Sequence, residues 1–201
     1  MGLLTLSALL HPQVFIIPIG ILAYLYKEQL RLFLGKYSLP VAFIGCGILF
    51  GLLTEFTAIL EHIATSAGQK TLLHPNPVVG LVMGFFYYGT FTLTWYLLLS
   101  KRMFSKKAIF FLSGTFGLVI EHGGVMLGNM LFHPLSGMFP GLLLMAIYGI
   151  FPLIAYFLNE ARFPERHKPL VREYLLVIFC LLFAWAVYEN TFHKALLFFF
   201  P

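Results

Sequence analysis

Apolar runs long enough to cross a lipid bilayer recur from one end of this chain to the other. A hydrocarbon core of about 30 Å takes roughly 20 helical residues. Runs of that kind predict spans at residues 8–30, 39–63, 77–100, 107–131, 135–158 and 172–197. Lipid offers the backbone no hydrogen-bond partners, so each span must satisfy its own amides as a helix. The runs lack the two-residue alternation of a transmembrane barrel. The expected fold is all-α, a polytopic bundle of six transmembrane helices. No polar stretch is long enough for a second unit, so residues 1–201 read as a single transmembrane domain.

Charge is sparse and one-sided. Residues are 60% hydrophobic and 10% charged, and Asp is absent altogether, a balance foreign to soluble domains. The net charge of +5 raises the question of nucleic acid, but the placement of the charge answers it. Lys27, Arg31, Lys36, Lys101, Arg102, Lys106, Lys107, Arg162, Arg166, Lys168 and Arg172 flank the loops after the first, third and fifth spans. Only Lys70 and Lys194 fall on the other side. The positive-inside rule then puts the basic loops in the cytoplasm and both termini outside. Anionic lipid is the expected partner of those loops, and no nucleic-acid partner is expected. The N-terminus has no basic region or clear cleavage site, so the first span reads as a retained helix. Cys46 and Cys180 lie within spans and define neither a disulfide framework nor a metal motif.

Two signals alternate along the chain. Odd spans open on His-Pro, at His11-Pro12, His74-Pro75 and His133-Pro134. Even spans each carry one deep carboxylate, at Glu55, Glu121 and Glu189. Aligned on the Glu, Phe50-Gly51-Leu52-Leu53-Thr54-Glu55 matches Phe116-Gly117-Leu118-Val119-Ile120-Glu121, and Ala184-Trp185-Ala186-Val187-Tyr188-Glu189 follows more distantly. The odd spans agree at Tyr88-Gly89-Thr90-Phe91 and Tyr148-Gly149-Ile150-Phe151. The implied unit is an even span followed by an odd one. Units fall at about 39–100 and 107–158, with a third split by the termini into 172–201 and 1–30. A two-helix unit keeps its orientation from copy to copy, which predicts three parallel repeats in a pseudo-threefold arrangement. This organisation resembles that of mitochondrial carriers in architecture alone, because their P-x-[DE]-x-x-[KR] motif is absent.

The carboxylates are the main functional candidates. A charge at mid-membrane costs about 3 kcal/mol on insertion scales. Three such groups with no Lys or Arg at matching depth are expected to face the bundle interior. There they titrate as a coupled set or are neutralised by a cation. The bland alternative is a protonated Glu acting as interhelical glue. Gly51 and Gly117 sit four residues before their Glu, on the same helix face, and permit close packing there. Trp185 occupies that position in the third copy, so the site is not expected to be symmetric.

Imidazoles make a second set. His11, His74 and His133 read first as helix-entry marks, and secondarily as outer-rim metal ligands or proton relays. Glu55 shares a helical face with His62, Glu189 with His193, and His122 with Asn129. A carboxylate and an imidazole on one face suit a divalent metal, although no recognised metal motif is present. Pro18, Pro140 and Pro152 are expected to kink or interrupt odd spans, and the block Phe85-Phe86-Tyr87-Tyr88 reads as core and lipid filling.

Three functions compete on this reading. The first is an outward-facing Glu/His cavity that binds or conducts a cation, a proton or a small ligand. The second is a non-catalytic subunit, or a pigment- or quinone-holding component, within a larger membrane assembly. The third is a metal-dependent membrane enzyme acting on a lipid-soluble substrate.

Overall fold

A computed structural model describes residues 12–65, 73–165 and 167–200, without the side chains of 12–14, 64–65 and 122. All described regular structure is helical. The helices are α1 (Pro12–Leu25), α2 (Lys27–Leu34), α3 (Leu39–Thr65), α4 (Pro77–Lys101), α5 (Lys106–Ile120), α6 (Val125–Phe132), α7 (Pro134–Asn159), α8 (Val171–Tyr188) and α9 (Lys194–Phe199). A 3₁₀ turn, Glu121–Gly124, joins α5 to α6, and a π-helical turn, Glu189–His193, joins α8 to α9.

Four helical segments are long and apolar enough to cross a membrane, namely α3, α4, α7 with its following turn, and the α8–α9 run. A fifth is reached if the bent pair α5–α6 is one span. The predicted bounds of the second, third and fifth spans differ from α3, α4 and α7 by two residues at most.

The fourth span differs from expectation. The apolar run predicts one helix over 107–131, but the chain turns by 104° between α5 and α6. Gly123 and Gly124 take φ of +65° and +84°, a left-handed conformation open to glycine and strained for other residues. These two glycines let the backbone bend. Helix α6 then folds back on α7, and Gly137 lies against the Asn129 carbonyl.

The first span also departs from a single rod. Helix α1 has 14 residues, about 21 Å of rise, which is less than the hydrocarbon core. The bonds Tyr26 N–H to Leu22 O and Leu30 N–H to Tyr26 O carry the chain on into the amphipathic α2. Lys27 and Arg31 there lay their charged ends over Tyr24 and Phe157, at 5.1 and 5.0 Å from the ring centres. Pro18, Pro140 and Pro152 lie inside α1 and α7 without interrupting either helix.

His-Pro begins a helix directly at His133-Pro134, where α7 starts at Pro134 with His133 as the N-cap residue, while His11 lies outside the described residues. At His74-Pro75 the helix starts two residues later. Asn76 is the cap there, and its side-chain oxygen accepts from Val78 N–H and Val79 N–H, which satisfies two of the orphan amides at a helix start.

Helix α4 lies between α3 and α8, α5 packs on α7, and α7 also meets α1 and α3. The core between them is largely aromatic, with Phe43, Trp95, Phe104, Phe116, Phe151 and Tyr156 almost fully buried. Trp95 spends its indole N–H on Ser113 Oγ at 2.9 Å.

The basic loops meet at one end of the bundle. Arg31 donates to Phe157 O, Arg162 to Leu34 O and Asn159 Oδ1, Arg102 pairs with Glu173 at 2.6 Å, and Lys106 pairs with Glu160 at 2.7 Å. Arg162 thereby satisfies a carbonyl at the C-terminal end of α2, where helix carbonyls lack intrahelical partners.

Backbone contact at the α6–α7 hairpin makes a stability prediction. A Cβ at Gly137 would lie 2.3 Å from the Asn129 carbonyl oxygen and 2.8 Å from Met130 N. Backbone cannot rotate away as a side chain can, so Gly137→Ala should destabilise the protein by about 1–3 kcal/mol. Unfolding followed in detergent or bicelles measures this directly.

Candidate functional site

Glu55 is 4% exposed on α3. Its Oε1 accepts from Leu73 N–H at 3.2 Å, so the carboxylate ties α3 to the segment that enters α4. Gly80, one turn into α4, leaves room for it: a Cβ there would come within 3.3 Å of the same oxygen.

Glu121 sits where α5 breaks into its 3₁₀ turn. Its Oε2 accepts from Tyr148 Oη of α7 at 2.6 Å. The break ends the intrahelical ladder at this point and leaves the carboxylate held by a neighbouring helix.

Glu189 opens the π-helical turn after α8. It bonds His193 Nδ1 at 2.8 Å across that turn, and the His193 ring stacks on Tyr188 with centres 6.0 Å apart. Single π turns inside helices recur at functional sites.

Between these acids lies a tyrosine cluster. Tyr88 shares a hydrogen bond with Thr54 Oγ1 at 3.0 Å, one residue from Glu55. Tyr87 packs against Tyr88 and Tyr188 with ring centres 5.1 and 5.2 Å apart. The Tyr87 hydroxyl neighbours that of Tyr148 without a well-formed hydrogen bond to it. The Tyr188 hydroxyl is buried with no partner among the described residues. A cavity of about 10 Å³ borders Tyr87, Phe116, Trp185 and Tyr188, the lower limit for one water molecule.

Two glycines make this approach possible. A Cβ on Gly51 would fall 2.2 Å from the Tyr88 ring, and one on Gly117 would fall 2.3 Å from the Tyr148 ring. In each case the glycine four residues before the Glu receives a tyrosine from the following long helix.

The remaining candidates are placed unevenly. His74 is buried, and its Nδ1 accepts from Asn76 N–H at 3.0 Å, a role in shaping the loop before α4. His133 is exposed at the start of α7. His62 is half-buried, and its Nδ1 has no hydrogen-bond partner among the described residues. Asn129 contributes its backbone carbonyl to His133 N–H at 2.9 Å. His11 and the His122 side chain lie outside the described residues. Among the described residues no three His, Cys, Asp or Glu side chains gather closely enough to hold a metal ion. Of the predicted same-face pairs, Glu189 and His193 are in contact.

Sequence reasoning missed the tyrosine hydroxyls. In the sequence Tyr87 and Tyr88 read as packing, and Tyr148 as a point of agreement between repeats. The available signal was the coincidence of matched Gly–Glu and Tyr–Gly pairs, which places a phenol against each glycine and near each acid.

These helices define an integral membrane protein of the all-helical class. Compared with known protein families, with curated proteins and with solved structures, the chain matches none.

Tyr148→Phe keeps the ring and removes the bond to Glu121. Interhelical hydrogen bonds within membranes are worth about 1 kcal/mol, so a loss of that size is expected in reversible unfolding. No change would mean that Glu121 finds an equal partner elsewhere.

Proposed function

We propose that the protein binds protons at Glu55, Glu121 and Glu189 and relays them through the tyrosine cluster, as a proton-conducting or proton-coupled membrane protein. The observation that carries this reading is the Tyr148–Glu121 hydrogen bond at 2.6 Å, with a second carboxylate, Glu55, buried in the same bundle. Hydroxyl and carboxyl groups both accept and release protons, so a chain of them can pass a proton without moving a heavy atom far.

The same reading extends to topology. Six spans in three parallel repeats accord with the paired contacts Gly51–Tyr88 and Gly117–Tyr148. The third unit is the divergent one, with Trp185 in the glycine position and a π turn at its acid. The gathered basic loops support a cytoplasmic placement for that end and an outer placement for both termini.

The test is proton flux into proteoliposomes under a potassium-diffusion potential, read by an internal pH dye. Flux well above that of protein-free vesicles is the expected result. Sodium, potassium, calcium or zinc flux without proton movement would replace the proton by that ion. No flux of any kind would overturn conduction.

A further inference from the structure

At the basic end, away from the acid–tyrosine cluster, α1 and α7 leave an apolar groove of about 550 Å³. Its walls include Ile17, Gly20 and Ile21 of α1 and Ile150 and Leu153 of α7, and Lys106 lies at its edge. Gly20 keeps the floor low, since a Cβ there would touch Ile150 at 3.4 Å.

Three cations converge beside this groove. Tyr24 and Phe157, which also line it, stack with centres 5.8 Å apart. Lys27 Nζ sits over Tyr24 at 5.1 Å, while Arg31 and Lys106 sit over Phe157 at 5.0 and 5.4 Å. Two carboxylates offset them in part: Glu28 at 3.4 Å from Arg31, and Glu160 at 2.7 Å from Lys106. Three cations against two anions leave one positive charge, and Lys27 has no carboxylate partner among the described residues.

We infer that this groove is a binding site for an anionic phospholipid, with an acyl chain between α1 and α7 and the phosphate at Lys27 and Lys106. An apolar trough alone would accept any lipid tail. The uncompensated charge at one end is what selects the headgroup, because basic pockets between transmembrane helices attract anionic lipid. The aromatic pair beneath the cations holds them at the mouth of the groove instead of letting them extend into water.

The test is native mass spectrometry of the full chain, released from nanodiscs of equal phosphatidylglycerol and phosphatidylcholine. Wild type should retain phosphatidylglycerol over phosphatidylcholine. The double variant Lys27→Gln/Lys106→Gln should lose about thirtyfold in phosphatidylglycerol affinity, at roughly fivefold per cation. Ile21→Trp, at a position 55% exposed, fills the trough with little risk to the core and should displace the lipid while leaving the charges. A folded profile in size-exclusion chromatography qualifies each variant. Equal retention of the two lipids, or phosphatidylglycerol retention unchanged in both variants, overturns the assignment. Loss in Ile21→Trp alone overturns it too, in favour of a neutral apolar occupant.

Discussion

Changing Glu55, Glu121 and Glu189 together to Gln is expected to reduce proton flux to the level of empty vesicles. Gln preserves shape and hydrogen bonding but cannot exchange a proton, so the effect isolates the chemistry from the fold. Glu121→Gln alone should remove most of the flux, since Glu121 is the acid hydrogen-bonded to the tyrosine cluster, through Tyr148. Glu189→Gln should act more weakly. Glu189 is 38% exposed at its side chain and already engaged by His193, so water can substitute for part of its role. Helical content by circular dichroism should stay unchanged in all of these variants. Flux preserved in the triple variant would remove the carboxylates from the pathway.

The second large effect is steric. Gly51→Ala and Gly117→Ala each drive a methyl group into a tyrosine ring, at 2.2 and 2.3 Å. Each ring must move, and overpacking of this kind costs about 1–3 kcal/mol per site. Displacing Tyr88 and Tyr148 also breaks their bonds to Thr54 and Glu121. The double variant should therefore lose both stability and flux. Gly45→Ala is the control, because nothing lies within 4 Å of its Cβ position, and Ala is the better helix former by about 1 kcal/mol. It should be neutral or stabilising in the same unfolding assay. Equal behaviour of Gly45→Ala and Gly117→Ala would mean that the tyrosine contacts are not tight.

Why some elements were readable from the residues alone follows from their physics. Helices α3, α4 and α7 are long apolar runs bounded by polar or Pro residues, so their position depends only on local composition. The break at Glu121 depends on backbone torsion at Gly123 and Gly124. A glycine pair in an apolar run serves packing and bending equally well until its φ is known. The delayed start of α4 is similar: His74-Pro75 and Asn76-Pro77 both offer a proline, and only the side-chain bonds of Asn76 distinguish the cap.

The candidate site divides along the same line. The acids were legible because ionisable groups in apolar helices are costly and rare. The tyrosines around them were not, since a phenol reads as an apolar filler unless its hydroxyl can be located. The histidines show the reverse failure. Spacing placed His62 on the face of Glu55, but a shared helical face sets direction and not reach, and of the two pairs whose side chains are both described, the four-residue pair Glu189–His193 is hydrogen-bonded.

Infrared difference spectroscopy across a pH titration reads the protonation of the named carboxyls directly. The account predicts carboxyl bands that disappear in Glu55→Gln and in Glu121→Gln, with the Glu121 band moved in frequency by Tyr148→Phe, which removes its hydrogen bond. No carboxyl band assignable to either residue, or a Glu121 band untouched by Tyr148→Phe, would contradict an acid–tyrosine site in the interior of the bundle.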